Sequence, residues 1–281
     1  DGRRDRADEL SVEAHGSAPV TRPMVVITGA SEGIGRAFAR YYAADNRDLL
    51  LIARRLEPLS RLAEELRAAR LVRVEVLAQD LAAPDAPAAV DAALVAAGAH
   101  CDVLINNAGI GLSGVFPDLP PSDVDRLVAT NVAAPTRLMH HMLRDMRARR
   151  RGSIINLASL GAFAPGPYQA AYYASRAYVL SLSEAVAAEV ARDGVRITAV
   201  APGPVRTGFH DKMRADRDLY RWLIPSLAPD AVVRWAVTAH NLGFRVVVPG
   251  LLNNILALCL RLMPHRISVL IQGFLFYPRN R

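Results

Sequence analysis

The sequence predicts an α/β protein: a doubly wound, Rossmann-type three-layer sandwich with a seven-stranded parallel sheet. Short apolar runs alternate with longer segments of helical periodicity from residue 23 onward, which is typical of βαβ units. The apolar runs are continuous, as expected for strands that are covered on both faces. With 281 residues, of which 52% are hydrophobic, the chain can bury one large core.

The predicted strands and helices alternate along the chain. The strands are expected at Met24–Thr28, Leu49–Ala53, Val72–Leu77, Val103–Asn106, Ser153–Leu157, Val195–Val200 and Arg245–Val248. The helices are expected at Ile34–Ala44, Pro58–Arg70, Ala86–Ala97, Ser122–Arg149, Tyr172–Arg192 and Pro229–Leu242. The loops after strands four, five and six then lie at the edge of the sheet where ligands bind in this architecture.

These elements form a single predicted domain, 23–281. Residues 1–22 are charged and poor in apolar side chains, so we expect a mobile arm without the apolar stretch of a signal peptide. The tail 251–277 is unusually apolar, and Arg261, Pro264, His265 and Arg266 divide it into two helical stretches too short to span a bilayer. Core packing or a subunit interface is the favoured interpretation of this tail. A lipophilic substrate entrance and peripheral membrane contact are the alternatives.

Charge and cysteine content narrow the function classes. The formal charge is +7, but no nucleic-acid motif accompanies it, so no nucleic-acid partner is predicted. Cys101 and Cys259 lie far apart without CxxC spacing, which predicts neither a disulfide nor a metal site and fits a reducing cytoplasm. His140 and His141 are adjacent on a helix and point to different faces, so no metal is expected there either.

A glycine-rich turn follows the first predicted strand and leads directly into a helix. Such glycines let the backbone approach a pyrophosphate, and the first N–H groups of the helix attract the anion. The alternative is a plain connection without a ligand. The candidate cofactor-binding residues of this turn are Thr28, Gly29, Ser31, Gly33, Ile34 and Gly35.

The second strand ends at Ala53-Arg54-Arg55, about twenty residues after the glycines. A protein that binds NAD(H) usually places an acidic side chain here, on the ribose 2′-hydroxyl, and this chain has none. Arg54, with help from Arg55 and Ser31, can instead form charge-assisted hydrogen bonds to a 2′-phosphate. The sequence therefore favours NADP(H) over NAD(H), a solvated helix start being the alternative for both arginines.

Four further motifs fall in order along the chain. Asn106-Asn107-Ala108-Gly109 follows strand four, Asn131 lies in the next helix, Ser159 follows strand five, and Tyr172 comes thirteen residues after Ser159. In this ordered combination the chain resembles the classical short-chain dehydrogenase/reductases, from Met24 to about Thr207. The resemblance implies a hydride transfer between NADP(H) and a carbonyl/alcohol pair.

The resemblance assigns the chemistry to a phenol and a hydroxyl. A carbonyl that accepts a hydride needs a proton at its oxygen, and Tyr172 is the expected general acid/base. Ser159 is expected to hydrogen-bond the same oxygen. As isolated residues, both would more often be structural, and the thirteen-residue spacing together with Ala174-Ser175 decides for the catalytic roles.

The remaining roles are also implied by the resemblance. Asn131 is expected to hold a water chain that leads protons to solvent, with a helix-bending polar residue as the alternative. Asp80 is expected near the adenine, with loop capping as the alternative. Asn107, Ala108 and Gly109 are expected beside the adenine ribose. Pro202, Gly203, Val205 and Thr207 are expected to hold the nicotinamide carboxamide.

One position departs from the family pattern. Four residues after the tyrosine the family has a lysine, whereas this chain has Arg176. Arg176 still places a cation near Tyr172, so it is counted with the catalytic and cofactor-binding residues, but a planar guanidinium cannot be assumed to act as an ammonium does. The alternative function is therefore a dinucleotide-binding protein with weak or no catalysis.

Substrate and assembly are predicted only as classes. The segment 206–226 corresponds to the mobile lid of similar enzymes. Its aromatic residues Phe209, Tyr220 and Trp222, together with Phe163 and Tyr168 on the loop after Ser159, indicate an apolar carbonyl or alcohol substrate, with plain packing as the alternative. The resemblance further implies a homodimer or homotetramer that pairs the long fourth and fifth predicted helices.

Overall fold

The computed structural model describes residues 21–209, 213 and 225–277, and within them seven parallel strands form one sheet. Its order is β3-β2-β1-β4-β5-β6-β7. The strands are β1 Arg22–Thr28, β2 Asp48–Ala53, β3 Val74–Ala78, β4 Ala99–Asn106, β5 Gly152–Leu157, β6 Val195–Val200 and β7 Val246–Val247. The predicted doubly wound sheet is confirmed. Its order reverses at β1 and β4, whose carboxyl ends form the crevice of a topological switch point.

Nine α-helices connect or follow these strands in the described part of the chain. They are α1 Gly33–Ala44, α2 Leu56–Ala69, α3 Ala86–Ala96, α4 Pro121–Val128, α5 Ala134–Ala148, α6 Ala170–Glu189, α7 Pro229–Asn241, α8 Leu251–Leu262 and α9 His265–Leu275. The predicted tail is thus two helices, and the second begins directly after Pro264, whose fixed φ suits the start of a helix.

Two apolar layers hold the helices on the sheet. On one face, side chains such as Ile27 and Leu51 pack with Phe38 and with residues of α1, α2 and α7. On the other face, Val26 and Leu50 pack with residues of α3, α5 and α6. Successive residues of one strand therefore serve opposite layers, which explains why the central strands carry continuous apolar runs, such as residues 24–27 of β1 and 49–53 of β2. Each fully buried side chain of this size contributes about 1.5–3 kcal/mol.

The helix predicted over Ser122–Arg149 is present as one continuous helical segment, but its hydrogen-bond pattern changes partway along. The structure has α4, a π-helical turn at Ala129–Ala133 and then α5. Pro135 explains the interruption, because its ring clashes with the carbonyl four residues earlier and it has no N–H to donate. That carbonyl belongs to Asn131, so the widened turn falls on a predicted site residue.

Several predicted boundaries also shift. β3 begins at Val74 and not at Val72, and β7 is reduced to two residues. The helix expected from Tyr172 begins two residues earlier, at Ala170. Most of the predicted arm (residues 1–20) and most of the predicted lid (210–212 and 214–224) lie outside the described residues.

A buried histidine joins α7 to β6. The Thr198 hydroxyl donates to the Phe244 carbonyl at 2.7 Å, so His240 Nδ1, 2.9 Å away, must be the donor to Thr198 Oγ1. His240 Nε2 is then a bare acceptor, buried without a hydrogen-bond partner. Burial first and the nearby Arg196 charge second lower the pKa of His240 to about 4. His240 is therefore neutral at physiological pH.

Candidate active site

A cavity of about 820 Å³ opens at the carboxyl edge of the sheet, over the crevice between β1 and β4. It brings together most of the predicted site residues, which come from segments that follow six of the strands, β1 to β6. The predicted residues that line it are Gly29, Ser31, Gly33, Ile34, Arg54, Asp80, Asn107, Ala108, Gly109, Ser159, Tyr172, Arg176, Pro202, Gly203, Val205 and Thr207. Three predicted residues lie behind this surface, namely Thr28, Gly35 and Asn131.

Thr28 fastens the ends of β1 and β4 together. Its side chain is 1% exposed and its hydroxyl donates to the Ile105 carbonyl at 3.0 Å. The same oxygen accepts from the backbone N–H groups of Asn107 and Ala108. The Asn107 amide in turn donates to the carbonyls of Thr28 and Gly29. Thr28 and the Asn107 side chain therefore shape the glycine turn from behind.

The glycines of the turn leave room that a side chain would fill. Gly29 has φ +64°, and a Cβ there would lie 2.8 Å from the Asn107 amide nitrogen. A Cβ on Gly35 would overlap the Gly29 carbonyl oxygen. Glu32 makes no side-chain cap at the start of α1, so the first N–H groups of this helix face the cavity uncapped. Uncapped N–H groups behind a side-chain-free turn fit a pyrophosphate.

Two arginines stand at the neighbouring end of β2. Arg54 and Arg55 are exposed, and both line the cavity next to Ser31. Neither has a carboxylate partner among the described residues. Asp80 lines the same end, and its carboxylate accepts from the Ala82 N–H at 3.1 Å, so it also caps its own loop. This end of the cavity can hold a further phosphate.

Asn131 is completely buried in the π-helical turn, and its amide is fully engaged. Its Oδ1 accepts from the Ile110 N–H and its Nδ2 donates to the Ile110 carbonyl, both at 2.8 Å. Nδ2 also lies 3.2 Å from Ser175 Oγ, which donates to the Tyr172 carbonyl. Asn131 thus connects the loop after β4 to the first turn of α6, whereas the water-chain role stays a prediction.

Ser159 and Tyr172 face the same cavity. Ser159 Oγ accepts from the Gly161 N–H at 3.2 Å and caps a short 3₁₀ turn, which leaves the hydroxyl proton for another acceptor. The Tyr172 ring lies 5.7 Å from the Phe209 ring and 6.1 Å from the Tyr173 ring, between centroids. These aromatic contacts fix the ring at the cavity wall.

Arg176 turns inward beside the phenol. Its side chain is buried, and Nη1 donates to the Leu157 carbonyl at the end of β5 at 2.9 Å. Cζ lies 5.2 Å from the centroid of the Tyr172 ring, which is a cation–π contact. Nη2 lies against Gly109, where any Cβ would overlap it, and Nε is buried without a hydrogen-bond partner. The charge is close to the ring face of Tyr172, and Gly109 is what makes room for it.

The apolar tail closes the other end of the cavity, which the favoured sequence interpretation missed. It is lined by Leu256, Cys259 and Leu260 of α8 with Met263 directly after it, and by Ile271, Gln272 and Leu275 of α9 with Phe276 directly after it. The Phe276 ring lies 5.6 Å from the Tyr173 ring, which places this end next to the phenol. Nothing in the sequence distinguishes a cavity-lining apolar helix face from a packed one.

No three His, Cys, Asp or Glu side chains among the described residues converge on a point where a metal ion could be held. Among the same residues, no helix is both long and apolar enough to cross a bilayer.

The fold and the cavity define a dinucleotide-binding protein of the doubly wound class. The family model for short chain dehydrogenases matches residues 23–218, and the chain belongs to this family. The chain is 34% identical over 197 residues to dehydrogenase/reductase SDR family member 7B of Bos taurus. That match takes in 68% of this chain and 61% of the relative, so the chain spans less than two thirds of that relative's length.

Solved structures agree with this assignment. A short-chain dehydrogenase from Sphingobium yanoikuyae in complex with NADPH has a TM-score of 0.75 and 34% identity, covering 82% of this chain and 88% of that one. A short-chain dehydrogenase/reductase from Burkholderia phymatum in complex with NAD has a TM-score of 0.75 and 26% identity, covering 86% and 93%. Similar proteins thus hold either nucleotide.

Proposed function

We propose that this protein is an NADP(H)-dependent oxidoreductase acting on an apolar carbonyl/alcohol pair, with Tyr172 as its general acid/base. The proposal is supported by one observation: Ser159, Tyr172, the glycine turn and Arg54 all line the same cavity. Among the described residues, Arg54 has no carboxylate partner. Together these residues supply a place for the nucleotide, a place for its additional phosphate and a proton donor.

The nucleotide, when bound, supplies or accepts the hydride. The uncapped start of α1 binds the pyrophosphate and Arg54 binds the 2′-phosphate. The loop with Val205 and Thr207 binds the nicotinamide carboxamide. Thr207 packs against Gly33, since a Cβ on that glycine would lie 3.1 Å from Thr207 Cγ2, so this loop crosses the phosphate-binding turn.

Tyr172 and Ser159 act on the substrate oxygen. Tyr172 donates its phenolic proton to the carbonyl oxygen during reduction and takes it back during oxidation. Ser159 donates a second hydrogen bond to that oxygen. Its hydroxyl proton is available for this, because Ser159 Oγ is the acceptor in its hydrogen bond with the Gly161 N–H. Arg176 keeps a positive charge beside Tyr172 at every working pH, because a guanidinium does not lose its proton.

The tail side of the cavity favours an apolar substrate. Six of its eight lining residues are hydrocarbon or thioether side chains, and Cys259 and Gln272 are the others. Gln272 is 7% exposed and one helical turn from Phe276. We propose that its amide binds an oxygen of the substrate remote from the reacting carbonyl.

The phenol is tested by Tyr172→Phe. We expect loss of turnover of apolar ketones with NADPH, because the proton donor is removed. The Kd for NADPH should stay nearly the same, since the variant keeps the ring that contacts Arg176 and Phe209. Tyr173→Phe is the matched control on the adjacent residue, and its turnover should be retained. Equal rates for Tyr172→Phe and the wild type would exclude Tyr172 as the acid.

Arg176 supports a second candidate, a dinucleotide-binding protein with weak or no turnover. One of its guanidinium nitrogens donates to the Leu157 carbonyl and the group lies over the Tyr172 ring, so Arg176 can support the phenol without binding the nucleotide. Assays of the wild type and Arg176→Lys with NADPH and a carbonyl panel separate the two functions. Turnover by the wild type supports the oxidoreductase. NADPH binding without turnover in either protein supports the second candidate, and turnover by the lysine variant alone marks Arg176 as a lesion.

The assembly and the location are proposed with the same function. The expected homodimer or homotetramer would pair the outer sides of α5 and α6, and we place the protein in the cytoplasm. Light scattering of the wild type tests the assembly, and a monomer at all concentrations would contradict it.

A further inference from the structure

The tail helices α8 and α9 have an apolar face that nothing in the described structure covers. Its side chains recur every three or four residues along each helix and are between 52% and 77% exposed. We call it the tail face: Leu251, Ile255, Leu258, Leu262, Leu270 and Phe274. Exposed apolar side chains grouped in this way mark an interaction surface.

The opposite side of the same two helices is already used. Asn253 and Ala257 of α8 and Ser268 and Gln272 of α9 are buried. The cavity-lining positions, such as Leu260 and Gln272, also lie on this inner side. The inner side of the two helices already packs against the protein and covers the cavity. The tail face therefore takes no part in this packing.

The charge around the tail face has one sign. No Asp or Glu follows Asp230 in the sequence, whereas six arginines do. Arg261, His265 and Arg266 lie at the junction of α8 and α9, and all three are exposed. Arg261 also contacts the Phe163 ring, with Cζ 4.7 Å from its centroid. Within the described tail, residues 251–277, the charged side chains are the two arginines Arg261 and Arg266, and no acidic side chain accompanies them. An apolar face next to these cations complements an apolar layer covered by anions.

We infer that the tail face docks on an anionic lipid surface, with α8 and α9 lying in the plane of the interface. Helices of 12 and 11 residues are too short to cross the bilayer, but they can bury one face at the boundary of headgroups and acyl chains. A second copy of this chain fits less well. Two tail faces related by a twofold axis would bring the basic junctions together without any acidic partner from the tail.

This docking gives the cavity a route to lipophilic substrates. Leu258 and Leu260 lie two positions apart, on opposite sides of α8, and they serve the tail face and the cavity wall respectively. A substrate dissolved in the lipid would thus reach the cavity along the tail helices. This last step rests on the proposed function, whereas the docking itself does not.

Vesicle sedimentation with the full chain tests the docking. We expect the wild type to pellet with vesicles of phosphatidylcholine and phosphatidylglycerol. Pelleting should be weaker with phosphatidylcholine alone and should fall as salt is raised, because the cations are screened. The triple variant Leu258→Ser, Leu262→Ser and Phe274→Ser should bind anionic vesicles roughly a hundredfold more weakly, since three apolar side chains are lost.

Leu71→Ser is the matched control, because Leu71 is a fully exposed leucine between α2 and β3, outside the tail. It should pellet like the wild type. The thermal unfolding midpoints of all variants show that they are folded, and sedimentation is readable whether or not the protein has turnover. Absence of pelleting with anionic vesicles would overturn the inference, as would equal pelleting of the triple variant. A wild-type dimer that the triple variant dissociates, without vesicle binding, would assign the tail face to a second copy.

Discussion

Arg54 should decide which dinucleotide this protein prefers. The side chain is exposed at the cavity end of β2 and has no carboxylate partner among the described residues, so its charge is available to a ligand. A hydrogen bond to a charged group is worth about 1.5–3 kcal/mol, and the lower end applies at an exposed position. Arg54→Ala should therefore raise the Kd for NADPH by roughly 10–30 fold. The Kd for NADH should change by less than about twofold, because NADH has no 2′-phosphate for Arg54 to bind.

Fluorescence titration with both reduced nucleotides at one fixed salt concentration measures this difference. Arg55→Ala is the matched control, since Arg55 lies next in the chain and is the more dispensable of the two in the sequence interpretation. It should weaken NADPH binding less than Arg54→Ala does. The reasoning fails if Arg54→Ala weakens the binding of both nucleotides equally, or leaves NADPH binding unchanged, because Arg54 would then not bind the 2′-phosphate.

Three further outcomes follow from the structure. The unfolded chain protonates His240 below its ordinary pKa of 6.5, whereas the folded chain does so only near 4. The free energy of unfolding should therefore fall by about 3 kcal/mol as the pH drops from 6.5 to about 4, because protonation of the ring favours the unfolded chain. Urea unfolding of His240→Asn should show a smaller loss of this free energy over the same pH range. Asp102→Asn should lower the free energy of unfolding by about 2 kcal/mol, because this buried carboxylate binds two arginines, and the midpoint of chemical unfolding measures it. Gly109→Ala should reduce turnover, because the new Cβ would displace the Arg176 guanidinium. In an Arg176→Lys background the same substitution should reduce the steady-state rate less, since a lysine lacks the overlapping Nη2.

The sheet and the phosphate-binding turn could be predicted because they depend on local pattern. Val26 and Leu50 lie in continuous apolar runs within their strands, and such runs are typical of a sheet that is covered on both faces. The glycines at 29 and 35 follow from backbone contacts that exclude a Cβ. Such requirements act over a few residues, so they are visible in the sequence.

The π-helical turn and the destination of the tail could not be predicted in the same way. Pro135 lies inside the predicted helix, but whether a helix kinks, ends or widens at a proline depends on the partners of the freed carbonyl and of Asn131. Apolar residues such as Leu256 and Leu260 have the same periodicity whether they face a core, a partner or a cavity. Their surroundings are set by elements distant in sequence.

Arg176 shows why a substitution at one position must be considered with its neighbours. A buried guanidinium needs acceptors or rings around it, and here the Leu157 carbonyl and the Tyr172 ring supply them while Nε remains without a partner. This arrangement exists only because Gly109 has no side chain. The loop after β4 therefore determines which cation can stand beside the phenol, and a lysine placed at 176 would leave space against Gly109 that the arginine fills. The chemistry of Tyr172 thus depends on a glycine of the nucleotide-binding loop, although the two residues lie more than sixty positions apart in the sequence.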